Sequence, residues 1–194
     1  GSGSKVSNAN REANRDGVSG GGIEVSTVSG NCAYLSDFFS ELLSLTNEAR
    51  QDAGLKPLRS SYLLGQSAQE YAEDLATQNF FSHQGKDGST LSSRVAATGY
   101  DLAAAGENIA AGQRTARAVF QGWMNSDGHR KNILAANYNE VGSGLFDATG
   151  SSDYGKYWVQ NFGKPDGRSS QEGLYIPSSC GAQMADASGG VLKV

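Results

Sequence analysis

The chain has 194 residues, which is enough for one compact domain with a full hydrophobic core and further segments at its ends. Its 16 Lys and Arg against 20 Asp and Glu give a net charge of −4, and the basic residues are scattered. This charge pattern argues against a nucleic-acid-binding protein, because no basic stripe matches a phosphate backbone. No apolar run approaches the ~20 residues that a spanning helix needs, so we expect no transmembrane segment.

The first 30 residues differ in composition from the rest of the chain. They are rich in Gly, Ser and Asn and have almost no large apolar side chains, so they cannot bury enough surface to offset the entropy of ordering. Residues 1–4, Gly-Ser-Gly-Ser, are typical of a cloning scar. We therefore predict a flexible N-terminal arm over 1–30, a folded domain over 31–163 and a C-terminal extension over 164–194.

The chain has two cysteines, Cys32 and Cys180, one near each edge of the predicted domain. They do not form a Cys-x-x-Cys motif, which argues against a metal clip or a thioredoxin-like site. A disulfide that ties the C-terminal extension to the start of the domain fits this placement, and so do two unpaired thiols in a reducing compartment. We favour the disulfide, because a covalent cross-link is useful at the edges of a core.

Four segments have the apolar spacing and the end signals of helices. The first is predicted over 36–54, with Ser36 as its N-cap, and the second begins at Ser60 or Ser61. A shorter helix is predicted over Thr90–Ala97, and a fourth helix begins after the cap residue Thr115.

Two strand-like runs follow the predicted helices. They cover Glu140–Phe146 and Tyr157–Phe162, and the loop-forming segment Asp147–Gly155 lies between them. This spacing predicts an antiparallel hairpin. Helices that precede strands, without regular alternation of the two, favour an α+β fold over a doubly wound sheet.

The candidate functional residues are His83, His129 and Glu107. His83 and His129 are the only two histidines, and both lie in polar, loop-like segments, where binding groups are often found. Glu107 lies between a glycine and an asparagine ahead of apolar residues, which is compatible with a partly buried, oriented carboxylate. The residues alone leave simpler interpretations open, namely solvated loop histidines and a glutamate that caps backbone N–H groups.

A series of short motifs follows in order from about Leu42 to Phe162. The motifs are Leu45–Arg50, Gly54–Leu58, Phe81–His83, Asp87–Thr90, Gly106–Ala110, Trp123–Ser126, Gly128–Arg130, Val141–Gly144 and Tyr157–Gly163. Each motif is weak by itself, but the ordered set resembles the CAP superfamily of cysteine-rich secretory proteins, antigen 5 and plant pathogenesis-related proteins. The similarity is greatest to the bacterial-type SCP domains of that superfamily.

The resemblance implies a fold and a site. The implied fold is an α-β-α sandwich with a central antiparallel sheet and a broad cleft, in a protein secreted to the extracellular space or the periplasm. His83, Glu107 and His129 match the first histidine, the Gly-Glu-Asn glutamate and the second histidine of the family cleft. The second cleft glutamate of eukaryotic members corresponds to Ser126 here, so the two-His, two-Glu set is incomplete.

The resemblance first implies a non-enzymatic module that binds a small-molecule, lipid or protein ligand in this cleft. Two imidazoles suit a divalent transition metal, so His83, His129 and Glu107 are the predicted ligands of Zn²⁺ or another divalent cation. Glu107 could instead fix the tautomer of a histidine. Arg50 and Arg94 are candidates for internal ion pairs or caps.

The alternative function is a secreted hydrolase, a protease or an esterase. Ser126 lies three residues before His129, so Ser126, His129 and Glu107 provide a nucleophile, a base and an orienting carboxylate. Ser126 does not lie in a Gly-x-Ser-x-Gly elbow, and it also suits a cap of the turn before Gly128. We favour the binding module.

Overall fold

The computed structural model describes residues 34–167, 171–177, 183–185 and 191–193, in which helices and strands are mixed along the chain. The helices are α1 (Leu35–Asp52), α2 (Tyr62–Thr77), α3 (Leu91–Ala97), α4 (Ala116–Met124) and α5 (Asp127–Ile133). The strands are β1 (Arg59–Ser60), β2 (Leu102–Ala111), β3 (Glu140–Asp147), β4 (Lys156–Pro165), β5 (Leu174–Ile176), β6 (Gln183–Ala185) and β7 (Val191–Lys193).

The main sheet has four strands in the order β1-β3-β4-β2. Strands β3 and β4 form the predicted antiparallel hairpin, which is confirmed. Strand β2, which the sequence analysis did not predict, pairs antiparallel with β4 and puts Glu107 opposite Asn161. The short β1 pairs parallel with β3. The site-bearing strand β2 therefore lies at an edge of the sheet.

Helices cover both faces of this sheet. Trp158 and Phe162 of β4 are buried with residues of α1, α4 and α5, whereas Tyr157 and Val159 of the same strand are buried with residues of α2. Because successive side chains of a strand point to opposite faces, β4 is apolar on both. The predicted α+β class and α-β-α sandwich are confirmed.

Local capping signals determine where most of the helices begin. Ser61 accepts a hydrogen bond from the helix it starts, Thr90 forms a reciprocal capping box, and Thr115 caps α4, as predicted. The predicted cap Ser36 is wrong. The helix begins one residue earlier, at Leu35, because the carbonyl of Tyr34 already accepts the first helical hydrogen bond from Phe38.

Parts of the predicted domain division fall outside the described residues. The arm over 1–30 and both Cys32 and Cys180 lie there, so the division and the disulfide stay predictions. In the described part of the C-terminal extension, Leu174 and Ile176 are buried with α1 and the sheet. None of the helices in the described part of the chain is both long and apolar enough to span a membrane.

Candidate functional site

Glu107 is a buried carboxylate in the middle of the edge strand β2, and its side chain is 2% exposed. Its Oε2 accepts a hydrogen bond from Arg94 Nη2 at 2.8 Å. Its Oε1 lies 2.8 Å from His83 Nδ1. A buried charge needs a partner of this kind to offset its lost hydration. Both oxygens of the carboxylate are therefore engaged, one by a cation and the other by an imidazole.

Arg94 of α3 holds the loop that carries His83. Its Nη2 also donates to the carbonyl of His83 at 3.1 Å, and its Nη1 donates to the carbonyl of Ser89 at 3.3 Å. The guanidinium carbon lies 3.4 Å from the centre of the Tyr71 ring, a cation–π arrangement. The Tyr71 hydroxyl donates to the carbonyl of Ser82 at 2.6 Å. Two side chains from the domain interior thus fix both ends of this loop.

The contact with Glu107 sets the chemistry of the His83 ring. The hydrogen bond to the carboxylate raises the pKa of His83 above 6.5, although partial burial and the charge of Arg94 oppose this shift. In the neutral ring, a proton on Nδ1 that is donated to Glu107 leaves the lone pair on Nε2. The His83 side chain is 60% exposed. The carboxylate therefore orients a solvent-accessible imidazole so that Nε2 is its basic nitrogen.

His129 is the second imidazole of the site. The sequence predicted a loop at His129, but the residue lies in α5. Its Nδ1 is 2.9 Å from Ser126 Oγ. Burial lowers the pKa of His129 below 6.5, and the charge of His83 lowers it further. The two rings therefore interact electrostatically, and His129 is neutral at neutral pH, the state in which imidazole binds metals. Ser126 precedes the helix, but its side chain contacts His129 and makes no cap hydrogen bond.

Two asparagines attach α5 to the strand that carries Glu107. Asn108 Nδ2 donates to the carbonyl of His129 at 3.2 Å. Asn132 Nδ2 donates both to the carbonyl of Glu107 at 3.1 Å and to Asn108 Oδ1 at 2.9 Å. The position of His129 is thereby tied to β2 through side-chain amides. The Tyr138 hydroxyl packs against Gly106 and leaves no room for a side chain there, because a Cβ would lie 2.5 Å from its oxygen.

A cavity of about 440 Å³ opens beside His83 and Glu107. The start of α3, at Thr90 and Leu91, and the loop residue Gln84 complete its lining. The lining is mixed, with apolar and polar groups next to an oriented imidazole, as in many small-ligand sites. His129 is not part of this lining.

The structure brings the predicted site residues together in pairs. His83 contacts Glu107, and Ser126 contacts His129. The predicted triad is not assembled, because Glu107 binds His83 and Arg94 instead of orienting His129. Within the described ranges, no group of three or more His, Cys, Asp or Glu side chains is placed to hold a metal ion.

Two residues of the site, Tyr71 and Asn132, were not predicted from the sequence. Tyr71 belongs to the apolar stripe of α2, which gave no sign that its hydroxyl reaches the loop at Ser82. Asn132 lies three residues after His129, a spacing that puts both on one side of a helix. Recognition of α5 as a helix would therefore have indicated the role of Asn132.

The fold and the site define a three-layer α-β-α protein in which a buried glutamate at the sheet edge contacts one of two histidines. The model of the CAP family, described as the cysteine-rich secretory protein family, matches residues 43–162. The chain belongs to this family.

Two proteins of Bacillus subtilis are similar to this chain in sequence. The chain is 35% identical over 139 residues to the uncharacterized protein YkwD, covering 72% of this chain and 52% of the relative. It is 36% identical over 122 residues to the uncharacterized membrane protein YlbC, covering 63% of this chain and 33% of the relative. The chain thus spans about half of YkwD and about a third of YlbC.

Solved structures with the same fold include two bacterial proteins. An extracellular protein of Bacillus anthracis that contains an SCP domain has a TM-score of 0.61 and 32% identity, over 66% of this chain and 40% of that one. An outer surface protein of Borrelia burgdorferi has a TM-score of 0.57 and 25% identity, over 65% of this chain and 91% of that one. Both of these structural neighbours are extracellular or surface proteins.

Proposed function

We propose that this protein is a secreted, non-enzymatic module that binds a small-molecule, lipid or protein ligand at the His/Glu cleft. In this proposal His83 and His129 share one divalent metal ion, with Zn²⁺ as the first candidate, and Glu107 orients His83. The extracellular and surface proteins among its structural neighbours support secretion to the extracellular space or the periplasm.

The contact between Glu107 and His83 Nδ1, at 2.8 Å, carries the proposal. A carboxylate in this position is the usual partner of a metal-binding histidine, because it fixes the tautomer and makes the other nitrogen more basic. His129 is held neutral by burial, which suits ligation. When bound, the metal would supply a Lewis-acidic centre with open coordination positions for a ligand group, since only two protein nitrogens are available.

Calorimetric titration of Zn²⁺ into metal-free protein near neutral pH tests this site. We expect one equivalent to bind to the wild type, and none to the His83→Ala/His129→Ala double variant. Asp153→Asn is the matched control, because Asp153 is an exposed carboxylate outside the cleft, and it should bind like the wild type. Absence of binding to the wild type, or full binding to the double variant, would contradict the metal site.

The second candidate function, a hydrolase, is supported by one observation. Ser126 Oγ lies 2.9 Å from His129 Nδ1, within reach of a nucleophile–base pair. A screen with an activated acetyl ester and an unstructured protein substrate tests it. Loss of turnover in Ser126→Ala, with turnover retained in the exposed-serine control Ser92→Ala, would favour the hydrolase. Turnover that survives in Ser126→Ala would argue against it.

A further inference from the structure

Arg50 is a buried cation at the end of α1, far in sequence from the His/Glu cleft, and only 1% of it is exposed. Its Nε donates to the carbonyl of Lys56 at 2.9 Å. Its Nη1 donates to the carbonyls of Ile133 and Ala135 at 2.9 and 2.8 Å, where α5 ends. These contacts confirm the predicted capping role of Arg50. They engage only two of its three nitrogens, and Nη2 has no hydrogen-bond acceptor among the described residues.

Arg50 lines a cavity of about 570 Å³. Lys56, Arg59, Tyr138 and Asn139 also line this cavity. The side chain of Arg59 is half exposed and pairs with the buried Glu140 at 3.3 Å. The cavity is therefore bordered by three cations, one of which has a carboxylate partner.

Among the described residues, no carboxylate balances the charge of Arg50. None of the described residues forms an ion pair with it, and burial lowers the pKa of the guanidinium. The carbonyls that it contacts carry only partial negative charges from the end of α5. A buried cation that is unpaired in this way gains from an anion that brings a full negative charge. Lys56, which also lines the cavity, is exposed and adds a second positive charge there.

We infer that this cavity is a binding site for a phosphate group, with Arg50 Nη2 and the Lys56 ammonium as its main contacts. Two positive charges that have no carboxylate partner among the described residues match a phosphate that carries up to two negative charges better than a singly charged carboxylate. A guanidinium donates in a fixed plane to phosphate oxygens, and an ammonium acts as a point charge. This site shares no lining residue with the cavity at His83, so it stands independently of the function proposed above.

Nuclear magnetic resonance titration tests the site on the intact, ¹⁵N-labelled chain, with a chelator present so that the His/Glu cleft is free of metal. The probes are inorganic phosphate, glycerol 3-phosphate and acetate, each at matched ionic strength. We expect saturable shifts of the backbone amides at 54–56, 58–59 and 136–139 with both phosphate compounds. Tighter binding of glycerol 3-phosphate would identify a phosphomonoester, and tighter binding of inorganic phosphate the free anion; either result supports the site.

Variants of Lys56 decide whether the shifts come from this cavity. Because Lys56 contributes only its backbone carbonyl to the fold contacts described above, its side chain can be changed without loss of structure. Lys56→Gln should weaken phosphate binding about tenfold or more, the usual effect of a lost charge-assisted hydrogen bond. Lys56→Arg should restore it, and the exposed-lysine control Lys164→Gln should bind like the wild type.

Three results would overturn the inference. The first is a set of shifts that sodium chloride reproduces at the same ionic strength, since this would show general screening. The second is acetate binding as tight as that of phosphate, which would contradict the ligand class. The third is unchanged phosphate affinity in Lys56→Gln.

Discussion

Replacement of Glu107 by glutamine should remove the counter-charge of a buried cation while keeping the size of the side chain. The carboxylate and the Arg94 guanidinium are 2.8 Å apart, and their side chains are 2% and 10% exposed. At an effective dielectric constant of about 20, the direct attraction is roughly 6 kcal/mol. Removal of one partner from a buried pair typically costs about 3–5 kcal/mol, because the other charge remains without compensation. We expect Glu107→Gln to lower the free energy of unfolding by about that amount.

Urea unfolding followed by circular dichroism measures this loss, with Arg94→Met and the Glu107→Gln/Arg94→Met double variant completing a thermodynamic cycle. The double variant should be more stable than the sum of the single effects predicts, by about 2 kcal/mol or more, since it leaves no buried charge. Glu48→Gln is the control at an exposed glutamate and should change stability little. A loss below about 1 kcal/mol in Glu107→Gln, or additive single effects, would refute the assignment of a coupled buried pair.

Three further predictions concern titration and packing. Proton NMR of the metal-free protein should give His83 a pKa above 6.5 and His129 one below it; the reverse order would contradict the Glu107 contact. The Tyr71 phenol should ionise only near pH 12, because burial raises its pKa to about 12. Its contribution to stability is therefore full below about pH 10 and is lost as the pH rises through 12. Ultraviolet difference spectra that show its ionisation near pH 10 would argue against this. Gly144→Ala should destabilise by about 1–3 kcal/mol in thermal unfolding, since a Cβ would overlap the backbone of α2. Gly122→Ala, with open space around it on α4, should be neutral or stabilising, and equal effects of the two would be inconsistent with the packing.

The sequence predicted the elements whose signals are local. Ser61, Thr90 and Thr115 cap helices through bonds to residues three positions away, so the chain segment itself contains the information. The β3–β4 hairpin likewise follows from two apolar runs and a short loop. Strand β2 was missed because its Ala-rich sequence has weak strand propensity. Its conformation depends on pairing with β4, about fifty residues later in the chain.

In the site, too, the sequence predicted which residues take part but not which residue each of them contacts. The resemblance to the CAP superfamily selected His83, Glu107 and His129, and the structure puts Glu107 on His83. The sequence could not exclude Glu107 as the partner of His129, because that choice depends on how α3 and α5 pack against β2. Arg94 donates to the second oxygen of the Glu107 carboxylate, so that oxygen is already engaged and does not orient His129.

Long-range ¹H–¹⁵N correlation spectra of the two imidazoles, recorded while Zn²⁺ is added, test the central claim most directly. Nδ1 of His83 faces Glu107 and Nδ1 of His129 faces Ser126, so metal shared by the two rings should bind through Nε2 of each. We expect both Nε2 signals to shift together and to saturate at one equivalent. Coordination of the metal through His83 Nδ1, or a response from only one histidine, would contradict a metal site that His83 and His129 share under the control of Glu107.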